Sequence, residues 1–224
     1  MLFLAVFCGF LAEYLLEHRI EREREKQFIN SLASDLRADT VSISTQIGNI
    51  QTGILLFDSL SVLIGSPQLA MRNGPTIYYT ARLGVRLTPL VNNNRTIEQL
   101  KNSGGFRLIQ EQETSNRIMK YYSAFPELRL VEEIFNGENV AFKEVASKVM
   151  DQSVYRKQIS VDGSVVRLPG NLSLLTYDAT ILNQLGFYAV QMNGSRMGML
   201  QMLQNLKKSA KELLIYLEEK YHLK

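Results

Sequence analysis

Two long apolar stripes at helical spacing, one towards each end of the chain, limit its fold more than any other feature. The first runs Phe28, Leu32, Leu36, Ile43, Ile47, Ile50, Ile54, Phe57, Ile64. Its steps are three, four and seven, which place these side chains on one helix face. Asp35, Arg37, Asp39, Gln46, Asn49 and Gln51 fall mostly off that face, and Gly65-Ser66-Pro67 supplies a stop. The second stripe runs Leu182, Leu185, Ala189, Met192, Met199, Leu203, Leu206, Ala210, Leu213, Leu217, Tyr221. Asp178 is placed to cap its first turn, while Lys207, Lys208, Lys211, Glu212, Glu218 and Glu219 fill its outer face. Helices of this length draw most of their stability from packing. The stripes therefore predict a long antiparallel pair, with Gly186, Gly194 and Gly198 marking close contacts or a bend.

Shorter elements lie between them. Pro75 opens a short helix or strand over 76–85. Thr96-Ile97-Glu98-Gln99 reads as a capping box, for a helix that stops at Gly104-Gly105. A helix over 111–125 turns Ile118, Met119 and Tyr122 inward. It breaks or kinks at Pro126 and resumes over 127–150. Residues 159–168 alternate around Asp162-Gly163, as a small hairpin would. The expected class is all-α, a helical bundle over 21–224.

The amino terminus adds a second constraint. Leu2 to Ala12 carries no charge, and after Glu13 the apolar run continues to Leu16. As a helix it is ~22 Å long at ~1.5 Å per residue, against a hydrocarbon core of ~30 Å. No polar face exists over Leu2 to Ala12. Residues 1–20 are therefore expected to form a membrane anchor through Leu2, Phe3, Leu4, Val6, Phe7, Phe10, Leu11, Leu15 and Leu16, with Tyr14, His18 and Arg19 reaching to the headgroups. A buried helix is one alternative reading. A signal peptide is another, but it lacks a basic start and a small-residue cleavage site. Arg19, Arg22, Arg24 and Lys26 follow the run, which places the body on the cytoplasmic side. Glu17 to Lys26 mixes both signs at helical spacing, as a solvated face does, and this mixture offers no field for nucleic acid.

Motifs that carry chemistry are missing: no phosphate-binding loop, no G-x-S-x-G, no H-E-x-x-H. His18 and His222 stand at opposite ends, and Cys8 is the only cysteine, so neither a metal site nor a cofactor is expected. Met192 and Met199 belong to the second stripe and read as core rather than copper ligands. One segment is electrically unusual. From Ser66 to Arg107 six basic residues face one acid, although the whole chain carries only +3. Arg82, Arg86, Arg95, Lys101 and Arg107 are thus candidates for holding an anionic group. The competing reading pairs them with acids such as Glu111, Glu113, Glu132 and Glu133.

Two stretches are similar to an uncharacterised bacterial family of small single-span membrane proteins. One is FCGFLAEYLLEHRIEREREKQFINSLASDLRADT, from Phe7 to Thr40. The other is TIEQLKNSGGFRLI followed by NRIMKYY, between Thr96 and Tyr122. The span is shorter here at its amino end, and the exit tryptophan typical of the family is missing. The resemblance implies an anchored helical domain in the bacterial inner membrane and brings no known activity. Together with the long helix pair it leads to the expectation of a non-catalytic, membrane-tethered scaffold or interaction module. Its partners would be the membrane and either a second copy or another envelope protein. The alternative is a sensor-type domain that recognises an anion through the basic segment.

Overall fold

The computed structural model describes the backbone of residues 2–223 and the side chains of residues 6–223. The chain is mostly helical, and no strand occurs among the described residues. In order the helices are α1 (Leu2–Leu63), α2 (Pro67–Arg72), α3 (Gly74–Gly84), α4 (Arg95–Asn102), α5 (Gln112–Tyr122), α6 (Phe125–Val149), α7 (Gln152–Lys157) and α8 (Ala179–Tyr221), with a 3-10 turn at Gly105–Leu108. They divide between two compact units. The first comprises Met1–Ile43, Val91–Ala124 and Leu206–Lys224, and the second Ser44–Leu90 and Phe125–Asn205. Both long helices contribute to both.

In the first unit α1 buries Ile29, Leu32, Leu36 and Ile43, and α8 buries Leu206, Ala210, Leu213 and Leu217. The helices run antiparallel there: Tyr221 donates its hydroxyl proton to Glu25 (2.7 Å) and Arg37 pairs with Glu218 (2.6 Å). Ile97, Leu100 and Ile118 complete the core. Gly104, at φ 65°, takes the left-handed conformation that ends α4 and redirects the chain into the 3-10 turn.

Several local expectations change. Thr96 is not a cap. It is buried in the first turn of a helix that begins one residue earlier at Arg95, because its neighbours Ile97 and Leu100 must reach the core. On α5 the inward line is Thr114, Ile118, Tyr121, so Met119 points to solvent and Tyr122 is half-buried. Glu25, expected on a solvated face, is buried, with the Gln110 amide (3.2 Å) and the Tyr221 hydroxyl donating to it.

In the second unit Gly53 of α1 lies against Arg196 of α8, and Ile64 against Gly186, again an antiparallel pairing. Phe57 and Phe142 stack at 5.2 Å in a core shared with Phe135, Ala81 and Leu182. Asp178 caps α8 as its sequence position predicts: its Oδ1 accepts from the amides of Thr180 (2.9 Å) and Ile181 (3.0 Å). Met192 and Met199 are core residues. Pro126 sits in the first turn of α6 and starts the helix, the position where its missing N–H costs nothing. The residues read as a hairpin form one antiparallel bridge, Ile159 with Val165, around Gly163 at φ 79°. The pairing goes no further because Ile159, Val161 and Val166 are exposed and bury no face.

No helix among the described residues is long and apolar enough to cross a membrane. Glu13, Glu17 and Arg19 fall within the ~20 residues that a span occupies. The expected anchor side chains of Leu2, Phe3 and Leu4 lie outside the described residues. Val6, Phe7, Phe10, Leu11, Leu15 and Leu16 lie on α1 and are 48–69% exposed, and Cys8 among them is exposed as well.

Glycines make the packing testable. A Cβ at Gly84 would stand 2.2 Å from the Phe57 ring, whereas at Gly48 and Gly194 it would meet nothing. Gly84→Ala is expected to cost about 1–3 kcal/mol through overpacking. Gly48→Ala and Gly194→Ala, in open helix positions, should each gain about 0.5–1 kcal/mol. Urea unfolding of the three variants checks both signs.

Candidate functional site

Arg196 is the largest fully buried side chain among the described residues, at 1% exposure. The stripe that carries it steps by seven from Met192 to Met199, and Arg196 occupies the apolar position skipped between them. Its Nη1 donates to the Gly53 carbonyl (3.2 Å), and its Nη2 to the carbonyls of Gly84 and of Arg86 (3.2 Å for Arg86). The rings of Phe57 and Phe135 each lie 4.8 Å from the guanidinium carbon. Gly53 is required at this place, since a Cβ there would come within 2.6 Å of Arg196 Cζ and Nε. No carboxylate among the described residues pairs with this cation, and burial pulls its pKa down to about 10. Carbonyl dipoles and ring faces alone offset its desolvation.

A pocket of about 280 Å³ adjoins it, lined by Asn49, Thr52, Gly53, Arg86, Thr88 and Arg196 together with Ile50, Leu56, Leu83 and Leu87. No acid lines this pocket. Gln46, expected off the stripe, is buried in the same unit, where its amide nitrogen donates to the Thr88 carbonyl (2.5 Å). That bond fixes the extended segment after α3. The Thr52 hydroxyl proton is given to the Gly48 carbonyl (2.9 Å), so the pocket offers two guanidinium groups, the Thr88 hydroxyl and the Asn49 amide, a donor set suited to an oxyanion.

The first unit contains a comparable feature of opposite sign. Asp39 is buried at the position skipped between Leu36 and Ile43. Its Oδ1 accepts from the backbone amide and the side-chain amide of Asn93, both at 2.8 Å, and its Oδ2 from the Tyr121 hydroxyl at 2.8 Å. Tyr122 donates to the Asn93 carbonyl at 3.4 Å. Burial first, and then the Asp39 charge, raise the pKa values of both tyrosines well above the ordinary phenol value.

The five residues singled out from the basic segment do not gather in one unit. Arg82 and Arg86 belong to the second, and Arg95, Lys101 and Arg107 to the first. Arg82 lies 4.0 Å over the Tyr155 ring and donates to the Tyr155 carbonyl. Arg86 lines the pocket beside Arg196. Arg95 and Lys101 are exposed at the two ends of α4. Arg107 lines a groove of about 800 Å³ with Arg24, Glu13, Glu17 and Glu21. Three of the four acids proposed as their partners are engaged elsewhere: Glu111 with Lys220, Glu113 with Arg117, and Glu132 with the Leu90 amide. Arg196 and Asp39, the two residues that sequence reading missed, both carried a signal. Each stripe contains a seven-residue step whose vacant position is charged, Leu36 to Ile43 and Met192 to Met199, although the step from Phe57 to Ile64 skips a core leucine, Leu60. No family model, curated protein or solved structure matches the chain.

Tyr121→Phe should cost about 1–3 kcal/mol, since it leaves a buried carboxylate oxygen without its donor. The raised phenol pKa values also set a pH dependence. The unfolded tyrosines ionise near pH ~10 while Tyr121 and Tyr122 stay protonated in the native chain. Their stabilisation is therefore complete below pH ~10 and is lost as the pH rises beyond it. Urea midpoints between pH 8.5 and 11 should fall, and less steeply in Tyr121→Phe.

Proposed function

We propose that the chain is a membrane-tethered, non-catalytic helical interaction module, held to a bacterial inner membrane by the start of α1. One observation carries this reading. Seven large side chains between Val6 and Leu16 (Val6, Phe7, Phe10, Leu11, Tyr14, Leu15 and Leu16) are each about half exposed or more. They surround the helix, and the rest of α1 buries a clean stripe. Covering such a surface is worth on the order of 10 kcal/mol, and a surface this size marks a lipid or protein contact.

Lipid is the better fit because the run as far as Ala12 is apolar on every side, whereas a protein groove would need only one face. Its ~22 Å length is met by local thinning of the bilayer and by the side chains that follow it. Tyr14 and His18 stack edge to face at 4.3 Å, an amphipathic pair suited to the headgroup layer. Arg19, Arg22, Arg24 and Lys26 then favour the cytoplasmic side for the body. The helical body would bind a second copy or another envelope protein. The likeness of residues 7–40 and 96–122 to small single-span membrane proteins agrees with this reading.

The full-length chain with a carboxy-terminal tag should pellet with membranes, resist carbonate extraction and require detergent for release. Replacing Phe7, Phe10, Leu11 and Leu15 together by Ser should move most of it to the supernatant. Recovery of the unsubstituted chain in the carbonate supernatant would refute the tether. Protease treatment of intact spheroplasts reads the side: a protected tag agrees with a cytoplasmic body, and a cleaved tag overturns that placement.

A further inference from the structure

We infer that the pocket beside Arg196 is a binding site for a phosphate group. The inference concerns the second unit alone and does not rest on the membrane reading. A guanidinium buried to 99% without a carboxylate is an unusual element of a helical core, because desolvation of a charge is costly unless something offsets it. Here three carbonyl contacts engage three of its five N–H donors. The remaining donors have no acceptor among the described residues.

The surroundings admit an anion where they could have excluded one. Gly53 stands on the pocket wall directly over the guanidinium, with Cζ and Nε 2.6 Å from where a Cβ would sit. The guanidinium fills the space of that missing side chain and so reaches the pocket wall. Arg86, the only residue of the predicted basic set in this pocket, lines it with an exposed side chain while its own carbonyl holds Arg196 Nη2. Thr88 adds a hydroxyl donor and Asn49 the amide hydrogen that it does not give to Gln46, while the Thr52 hydroxyl proton goes to the Gly48 carbonyl at 2.9 Å. Two cations with two free neutral donors suit a tetrahedral dianion better than a carboxylate. At about 280 Å³ the pocket takes a phosphate with a small substituent, not a nucleotide or a whole lipid. The group would thus arrive as inorganic phosphate or as a small phosphomonoester.

Isothermal titration of the full-length chain in detergent, at constant ionic strength, tests this. Inorganic phosphate is expected to bind saturably with one site per chain, and acetate at least tenfold more weakly. Glycerol 3-phosphate distinguishes the sources: tighter binding than phosphate identifies a phosphomonoester, and weaker binding identifies the free ion, either within the proposal. Arg86→Gln, which keeps the carbonyl that holds Arg196, should weaken phosphate at least tenfold. Thr88→Val gives a second reading that leaves every charge in place and should weaken it severalfold. No saturable heat with phosphate up to 20 mM would overturn the proposal. So would phosphate binding that Arg86→Gln and Thr88→Val, both with native circular dichroism, leave unchanged.

Discussion

A helix of 62 residues cannot bury its own apolar stripe, and the rest of this architecture depends on how that stripe is covered. The second long helix supplies the cover. In each unit the pairing is antiparallel and the short helices close the sides of the core. Because packing, and not intrinsic propensity, holds such helices, α1 tolerates Gly48 and Gly53 and α8 tolerates Gly186, Gly194 and Gly198. Two of these glycines sit where a second element comes close, Gly53 at Arg196 and Gly186 at Ile64, while others are open to solvent.

Each unit places one charge inside its stripe and satisfies it with a different chemistry. Asp39 is held by amide and phenol donors, which convert a buried carboxylate into a ring of directional bonds. Arg196 is held by carbonyls and two aromatic faces, which leave a positive field in the neighbouring pocket. The first arrangement is closed: every oxygen of the carboxylate has its donor. The second is open, because carbonyl dipoles offset part of the cost of burying a cation without neutralising it. That difference is why the second unit, and not the first, carries the anion proposal. Burial of polar groups also orders the connecting segments. Gln46 fixes the Thr88 carbonyl, Asn139 the Val85 carbonyl, and Tyr78 bonds both the Asp151 amide and the Ser173 carbonyl.

The apolar start of α1 obeys a different rule from the rest of the helix. From Phe28 onwards, hydrophobic side chains on one face have protein to cover them. Between Val6 and Leu16 they stay about half exposed or more. The change from all-round to one-sided apolarity, with the charged stretch from Glu17 to Lys26 between, is the feature on which the proposed tether rests.

The sequence by itself determined the class, the two long helices and their antiparallel pairing. Periodicity over many turns is redundant: a dozen apolar positions agree on one face, and capping by Asp178 and the stop at Gly65-Ser66-Pro67 depend on neighbours only a few residues away. It also placed Met192 and Met199 in the core, because they share the period. What only the tertiary structure decided were single positions. The inward turn of Tyr121 instead of Met119 depends on Asp39, far along the chain. The start of α4 at Arg95 depends on where Ile97 must point, and a lone turn replaces a hairpin at Gly163 because no core lies beneath it. The basic segment looked like one site by its charge. The fold distributed it between two units, kept Arg86 for a pocket and brought Arg196 to it from more than a hundred residues away, because which groups share a cavity is set by packing, to which local spacing is blind.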